Sequence, residues 1–328
     1  MRKRRGVALI AGLWLVVAIA AVALQLSIDA KDRRTLGLAA GDRGTARAAA
    51  RGAFAMLDAK LDYALRVAPT GNGVQRLRAS DPWLDADSLY SGPMDVDSIT
   101  VYVTAIDLGT QLNVNAATED QLRIMFGFLL KDYQTADRLA QCIMDWRDVD
   151  TIPRPNGAEA DQYIKDGLLA LPSNAPFRDL SELLNVEGMT PDIYAKISPY
   201  LRTRGTAAIN LNTAPEAVLR TLPGMNDQIL ARILSMRSQG QRIATVQQVM
   251  PQQGAVTRRV LPGGQVVTTA PGAGVLAAIT AAATVITQEI EFTLVARQSP
   301  AARPARVSVI LRRTGTTASV PTYGYHEW

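Results

Sequence analysis

Five carboxylates fall within 17 residues of the stretch DWRDVDTIPRPNGAEADQYIKD: Asp145, Asp148, Asp150, Glu159 and Asp161. Carboxylates crowded in this way repel one another unless water solvates them or a cation joins them. A hard divalent ion prefers several oxygens on an irregular loop, and Pro153, Pro155 and Gly157 supply such a loop here. Calcium is the natural candidate, because it accepts carboxylate, carbonyl and water oxygens together. The spacing is not that of an EF-hand loop. The residues alone therefore leave two readings open: an ion site, or a solvated acidic turn in which Asp148 and Asp150 cap local backbone. Zinc does not suit the chain, since His326 is the sole histidine and Cys142 the sole cysteine. Cys142 lies at helical spacing with Leu139 and Ile143 and reads as a small buried apolar residue. With one histidine near the C-terminus, no nucleophile elbow and no Gly-rich phosphate loop, the sequence argues against a hydrolase, a transferase or a nucleotide enzyme.

The elements that must carry this loop begin with an apolar rod. Val7 to Leu26 is a run of 20 residues without an ionisable side chain, which as a helix spans about 30 Å of hydrocarbon. Arg2, Lys3, Arg4 and Arg5 precede it and predict a cytoplasmic N-terminus with the bulk of the chain on the opposite face of the membrane, which in a Gram-negative bacterium is the periplasm. The same four residues supply most of the net charge of +5, so the remainder is nearly neutral. A cleavable secretory signal ending at the AVA of 21–23 is the competing reading. Against it, Ala50, Phe54, Leu57, Leu61 and Leu65 recur at spacings of three and four, which continues the helix as an amphipathic stem over 27–68. A first sheet segment follows (69–115), with SITVYVTAID alternating as a half-buried strand. Residues 116–250 have helical period and 251–274 read as a flexible connector rich in Gly, Pro and Thr. Residues 275–328 return to strand period, with VITQEIEFTLVAR and ARVSVILRR as an antiparallel pair.

The helical region echoes itself. LNVNAATEDQLRIM (112–125) and INLNTAPEAVLRTL (209–222) share their Asn pair, an Ala, a Glu and a Leu-Arg pair at equal offsets. Thr118 or Thr213 suits a helix cap and Pro215 a first helical position. With FRDLSELLNVEGMTPDIYAKISPYL (177–201) these segments read as helix-hairpin-helix units. Units that hold DNA usually carry Gly-apolar-Gly hairpins. Here the hairpins are Gly188-Met189-Thr190 and Gly224-Met225-Asn226, and Glu216 and Asp227 blunt the charge of Arg220, Arg232 and Arg237. Packing as helical corners is favoured over nucleic-acid binding, and a membrane-tethered DNA receptor is the alternative function.

The blocks LNVN, DWRDVDTIPRPNGAEADQY, NAPFRDLSELLNVEGM and INLNTAPEAVLRTL, with a basic leader ending RRG before VALIAGLWLV, resemble in order the minor pseudopilin K family of type II secretion systems, also called general secretion pathway protein K. The resemblance implies an α+β pseudopilin fold: a long N-terminal helix on a small antiparallel sheet, interrupted by a large inserted helical domain. It implies a leader over 1–6, cleavage between Gly6 and Val7 by a prepilin peptidase, methylation of Val7, and an inner-membrane location. It also implies calcium held by Asp148, Asp150, Glu159 and Asp161, and partners among the other minor pseudopilins, with exported substrate as a compatible contact. Pilin-like subunits usually carry Glu at the fifth position after cleavage, neutralising the amino terminus of the subunit above. Here that position is Ala11, which suits a subunit with nothing above it, at the tip of a pseudopilus.

Overall fold

A computed structural model describes residues 3–67, 82–85, 90–251, 257–260, 266–269, 273–298, 302–314 and 318–327. The first element, α1 (Lys3–Val67), is a single 65-residue helix. Gly6, Val7 and Ala11 lie on it, but their side chains are outside the described residues. Among the described residues no helix is long and apolar enough to cross a membrane; the side chains of much of the apolar run from Val7 to Leu26 are outside the description. The stem is clearer. Ala46, Ala50, Ala53, Phe54, Leu57 and Leu61 are buried along one face, as spacings of three and four require. Three alanines let the helix approach the sheet closely, and Phe54 meets Phe292 edge-on, with centroids 6.3 Å apart. Burying a side chain of that size contributes about 2–3 kcal/mol.

That sheet has five strands: β1 (Gly92–Val96), β2 (Ile99–Asp107), then β9 (Glu289–Ala296), β10 (Ala305–Thr314) and β11 (Ala318–Glu327), adjacent in that order and antiparallel throughout. Ile99, Val101, Val103 and Ala105 face α1, as their alternation requires, together with Ile290, Phe292 and Leu294. The edge strand β1 lies just before the alternating segment, where no separate strand was read: its Pro93 is tolerable because an edge strand leaves one row of backbone groups unpaired. β11 lies within 275–328, read as the second part of the sheet, but beyond the two strands picked out there.

Between β2 and β9 lies a helical body with its own core, and it is built twice. Each unit opens with a two-residue strand and closes by pairing in parallel with a second one. β3 (Leu112–Asn113) pairs with β4 (Leu201–Arg202), and β5 (Ile209–Asn210) with β8 (Ala283–Thr284). Asn115 and Asn212 hold the units together in the same way. Asn115 Oδ1 accepts from Phe177 N at 2.8 Å while its Nδ2 donates to the carbonyls of Phe177 and Thr203. Asn212 Oδ1 accepts from Ile243 N at 2.8 Å while its Nδ2 donates to the carbonyls of Ile243 and Val285. Arg147 and Arg237 are also equivalent: the first donates to the carbonyls of Val114 and Ala117, the second to those of Ala214 and Thr213. Replacing Asn115 or Asn212 by Ala leaves three backbone groups without partners, and each variant is expected to lose about 2–4 kcal/mol in urea unfolding. Unequal losses would mean that the two units do not use their Asn alike.

The first unit holds α2 (Glu119–Leu130), α3 (Tyr133–Arg147), α4 (Ala160–Lys165) and α5 (Pro191–Ile197); the second holds α6 (Glu216–Leu219), α7 (Asp227–Ser238) and α8 (Ala273–Ala282). Thr118 caps α2 within a capping box with Gln121. Thr213 does not cap: its hydroxyl donates to Asp107, and Pro215 stands at the cap position of α6 rather than inside it. Ile279 of α8 and the following Val285 join the helical core, so that core draws on residues well past 250. Within 251–274, β6 (Thr257–Val260) and β7 (Val266–Thr269) pair as an antiparallel ribbon.

Asp107 stands where the helical body meets the sheet. It ends β2, is buried, and accepts hydrogen bonds from Gly109 N at 2.8 Å, Asn210 Nδ2 at 2.7 Å, Thr213 Oγ1 at 2.7 Å and Thr287 Oγ1 at 2.9 Å. Burial pushes its carboxyl above the ordinary range, and these donors pull it back.

Candidate metal centre

The acidic loop is an insertion in the first unit. Arg147 and Phe177 are separated by a long excursion, whereas their counterparts Arg237 and Ile243 are nearly adjacent. The helix before the loop, α3, buries Leu139, Cys142, Ile143 and Trp146. Burial raises the Cys142 thiol to about 12, which keeps it a protonated core residue. At Asp148 the backbone leaves the helix for an extended conformation.

Asp145, one turn earlier and fully buried, anchors the loop. It accepts from Arg154 N at 3.1 Å and pairs with the Arg154 guanidinium, which reaches Asp148 Oδ2 at 2.6 Å. Asn156 closes the loop on the helix, its N–H donating to Gln141 Oε1 and its amide to Asp137. Gly157 is required here because a Cβ would lie 1.9 Å from Asp145 Oδ2. The anchoring pair of Asp145 and Arg154 was not legible from spacing, since Asp145 looked like one more carboxylate of the cluster.

The loop delivers Asp148, Asp150 and Glu159 to one place, each offering an oxygen within 4.8 Å of the others. Glu159 stands at the cap position of α4 but makes no capping bond. It is 5% exposed, and neither of its carboxylate oxygens has a hydrogen-bond partner; Asp148 Oδ1 is likewise buried and unpartnered. Burial first, and then the charges of Asp145, Asp148 and Asp150, raise the Glu159 carboxyl to about 7. A solvated acidic turn does not account for a carboxylate whose two oxygens are buried and take no hydrogen bond from the protein. Three hard oxygen donors, two of them with buried unpartnered atoms, fit a hard divalent cation, while Asp150, exposed at the side, accepts from Ile152 N at 2.9 Å. When bound, such an ion supplies the positive charge that lets the carboxylates stay ionised side by side. Asp161 is not part of the group: two residues beyond Glu159 it is exposed in the first turn of α4.

The hairpins considered for DNA are occupied by the protein itself. Gly188 and Gly224 adopt the left-handed conformation, at φ of 79° and 78°. The Thr190 and Asn226 side chains that follow accept from the N–H groups of Ile193 and Ile229. Arg220 pairs with Glu216 and Asp227, Arg232 donates to the carbonyl of Gln248, and Arg237 is turned inward. These arginines are committed to internal partners.

Residues 105–204, which begin at the end of β2 and include the whole acidic insertion, match the family model described as type II secretion system (T2SS), protein K. Through these residues the chain is similar to the type II secretion system protein K family. A protein K from Pectobacterium carotovorum subsp. carotovorum is 27% identical over 185 residues, covering 52% of this chain and 54% of that protein. A second, from Dickeya chrysanthemi, is 36% identical over 95 residues, 28% of this chain and 25% of that one. The chain thus spans about half or less of the length of these curated relatives of protein K. Its fold matches a chain of the crystal structure of the GspK-GspI-GspJ complex from the enterotoxigenic Escherichia coli type 2 secretion system. The TM-score is 0.56 and the identity 18%, with 91% of this chain and 99% of that chain covered.

Proposed function

We propose that this protein is a minor pseudopilin of the type II secretion system that forms the tip of a periplasmic pseudopilus and helps initiate its assembly for protein export. The observation that carries this reading is the protein K region inserted between β2 and β9 of a sheet packed on a long N-terminal helix. The role is one of assembly and needs no catalysed reaction. Val7–Leu26 anchors the chain in the inner membrane with the N-terminus cytoplasmic, and burial of the apolar stem face drives association with sibling stems. The partners are other minor pseudopilins, in keeping with the complex in which the structural relative was crystallised. A bulky helical body and Ala11 suit the last position of the fibre, where exported substrate is within reach. Calcium held by Asp148, Asp150 and Glu159 fixes the acidic insertion.

Co-purification of the full chain with the other minor pseudopilins of its own secretion system tests the assignment: a stoichiometric complex is expected, and isolation of the chain alone under conditions that preserve the others' complex would overturn it. Prepilin peptidase acts between Gly6 and Val7 in this reading. Gly6→Leu is therefore expected to leave the leader attached, and mass spectrometry showing a methylated Val7 in that variant would refute the processing step.

A further inference from the structure

Besides its carboxylates, the insertion carries a group of uncovered aliphatic side chains. Val149 is 86% exposed, Ile152 74%, Ile164 63% and Leu169 105%, with Leu168 and Leu171 also exposed. Outside α1 this is the largest such grouping in one segment among the described residues, and none of the six joins either core. They lie close to the acidic group along the chain. Val149 and Ile152 flank Asp150, and Ile164 lies on the helix that starts after Glu159. The 168–171 segment runs into Ser173 and Asn174, which donate to the carbonyls of Trp146 at 3.4 Å and Asp150 at 3.2 Å.

We infer that this insertion is a cation-dependent docking surface for an anionic lipid leaflet: a phosphate completes the oxygen shell of the ion held by Asp148, Asp150 and Glu159, while Val149, Ile152, Leu168 and Leu169 enter the acyl region. The inference rests on the calcium reading above. Two features favour lipid over a protein partner. Binding hot spots between proteins are dominated by Trp, Tyr and Arg seated in pockets, with Leu and Val under-represented; this group is wholly aliphatic and, apart from Ile164 on α4, lies outside helices and strands. Aliphatic side chains entering a fluid leaflet need no matching cleft. Charge supplies the switch. Three carboxylates repel an anionic surface, and a divalent ion reverses that repulsion. Such an ion takes six to eight oxygens, more than three carboxylates comfortably provide, and Asp150 leaves one side of the group open to solvent.

Full-length protein held in phosphatidylcholine nanodiscs and carrying Leu169→Cys provides the test, because buried Cys142 leaves residue 169 as the point of attachment for an environment-sensitive dye. Separate vesicles containing phosphatidylglycerol, added with calcium, are expected to shift the emission to the blue; chelator reverses the shift, and phosphatidylcholine vesicles give none. Val149→Ser with Leu168→Ser is expected to weaken vesicle binding at least about tenfold, and Asp150→Asn to remove the calcium response. Unshifted emission with phosphatidylglycerol vesicles, while calcium still raises the melting temperature, overturns the docking surface and leaves the metal centre standing. A shift that persists in chelator overturns the cation dependence. A shift with a purified exported protein but not with vesicles assigns the surface to protein contact and overturns the lipid assignment. Absence of any calcium effect on melting removes the metal centre itself.

Discussion

Calcium at about a hundred times its dissociation constant is expected to stabilise the protein by about 2.7 kcal/mol, raising the melting temperature by roughly 5–10 °C. The effect follows from Glu159, whose oxygens are buried without partners beside Asp148 and Asp150. Asp148→Ala with Glu159→Ala is expected to abolish the rise and to melt at the same temperature with or without chelator. The ion-free protein should also respond to pH. With a folded value of about 7 against an ordinary 4.5, Glu159 holds its proton more tightly in the fold than in the unfolded chain. That contribution is present at low pH and is lost as the pH rises through about 7. In chelator the melting temperature is therefore expected to fall by a few degrees between pH 5 and pH 8; calcium should flatten the decline, and Glu159→Gln should remove it. A calorimetric scan showing no calcium response at pH 8 would rule out the centre.

Asp107→Ala is expected to have the second large effect, a loss of about 3–5 kcal/mol in urea unfolding, because Asn210, Thr213 and Thr287 are left as donors facing a buried void. A typical domain has only about 5–15 kcal/mol in total, so the variant should be markedly fragile. Asp107→Asn preserves the volume and the bond from Gly109 and is expected to lose about half as much. A variant within about 1 kcal/mol of the parent would show that the helical body is held to the sheet by other contacts.

Alternation made β2 and β9 legible, and spacings of three and four made the stem legible, because those periods are set locally by the backbone. β1 was hidden by Pro93, whose cost vanishes only at an edge that the sequence does not announce. Three of the four carboxylates proposed for an ion come together in the fold, and they were legible as acidic residues on an irregular loop. Asp161 could not be separated from them without knowing where α4 begins: two residues along a helix turn a side chain through about 200°, away from Glu159. Asp107 was invisible for a different reason. Its side-chain partners lie 103, 106 and 180 residues away, and no local pattern marks such a meeting. The duplication was visible in its opening blocks only, because the long excursions fall in different places in the two units and spoil any fixed period.

Asp107 and Ile290 are cross-strand neighbours although the entire helical body lies between them. Directly paired antiparallel residues have Cα atoms about 5 Å apart, a gap that a short turn can close. The body could thus be excised or exchanged like a cassette, leaving the strands on either side in register and the stem still covered.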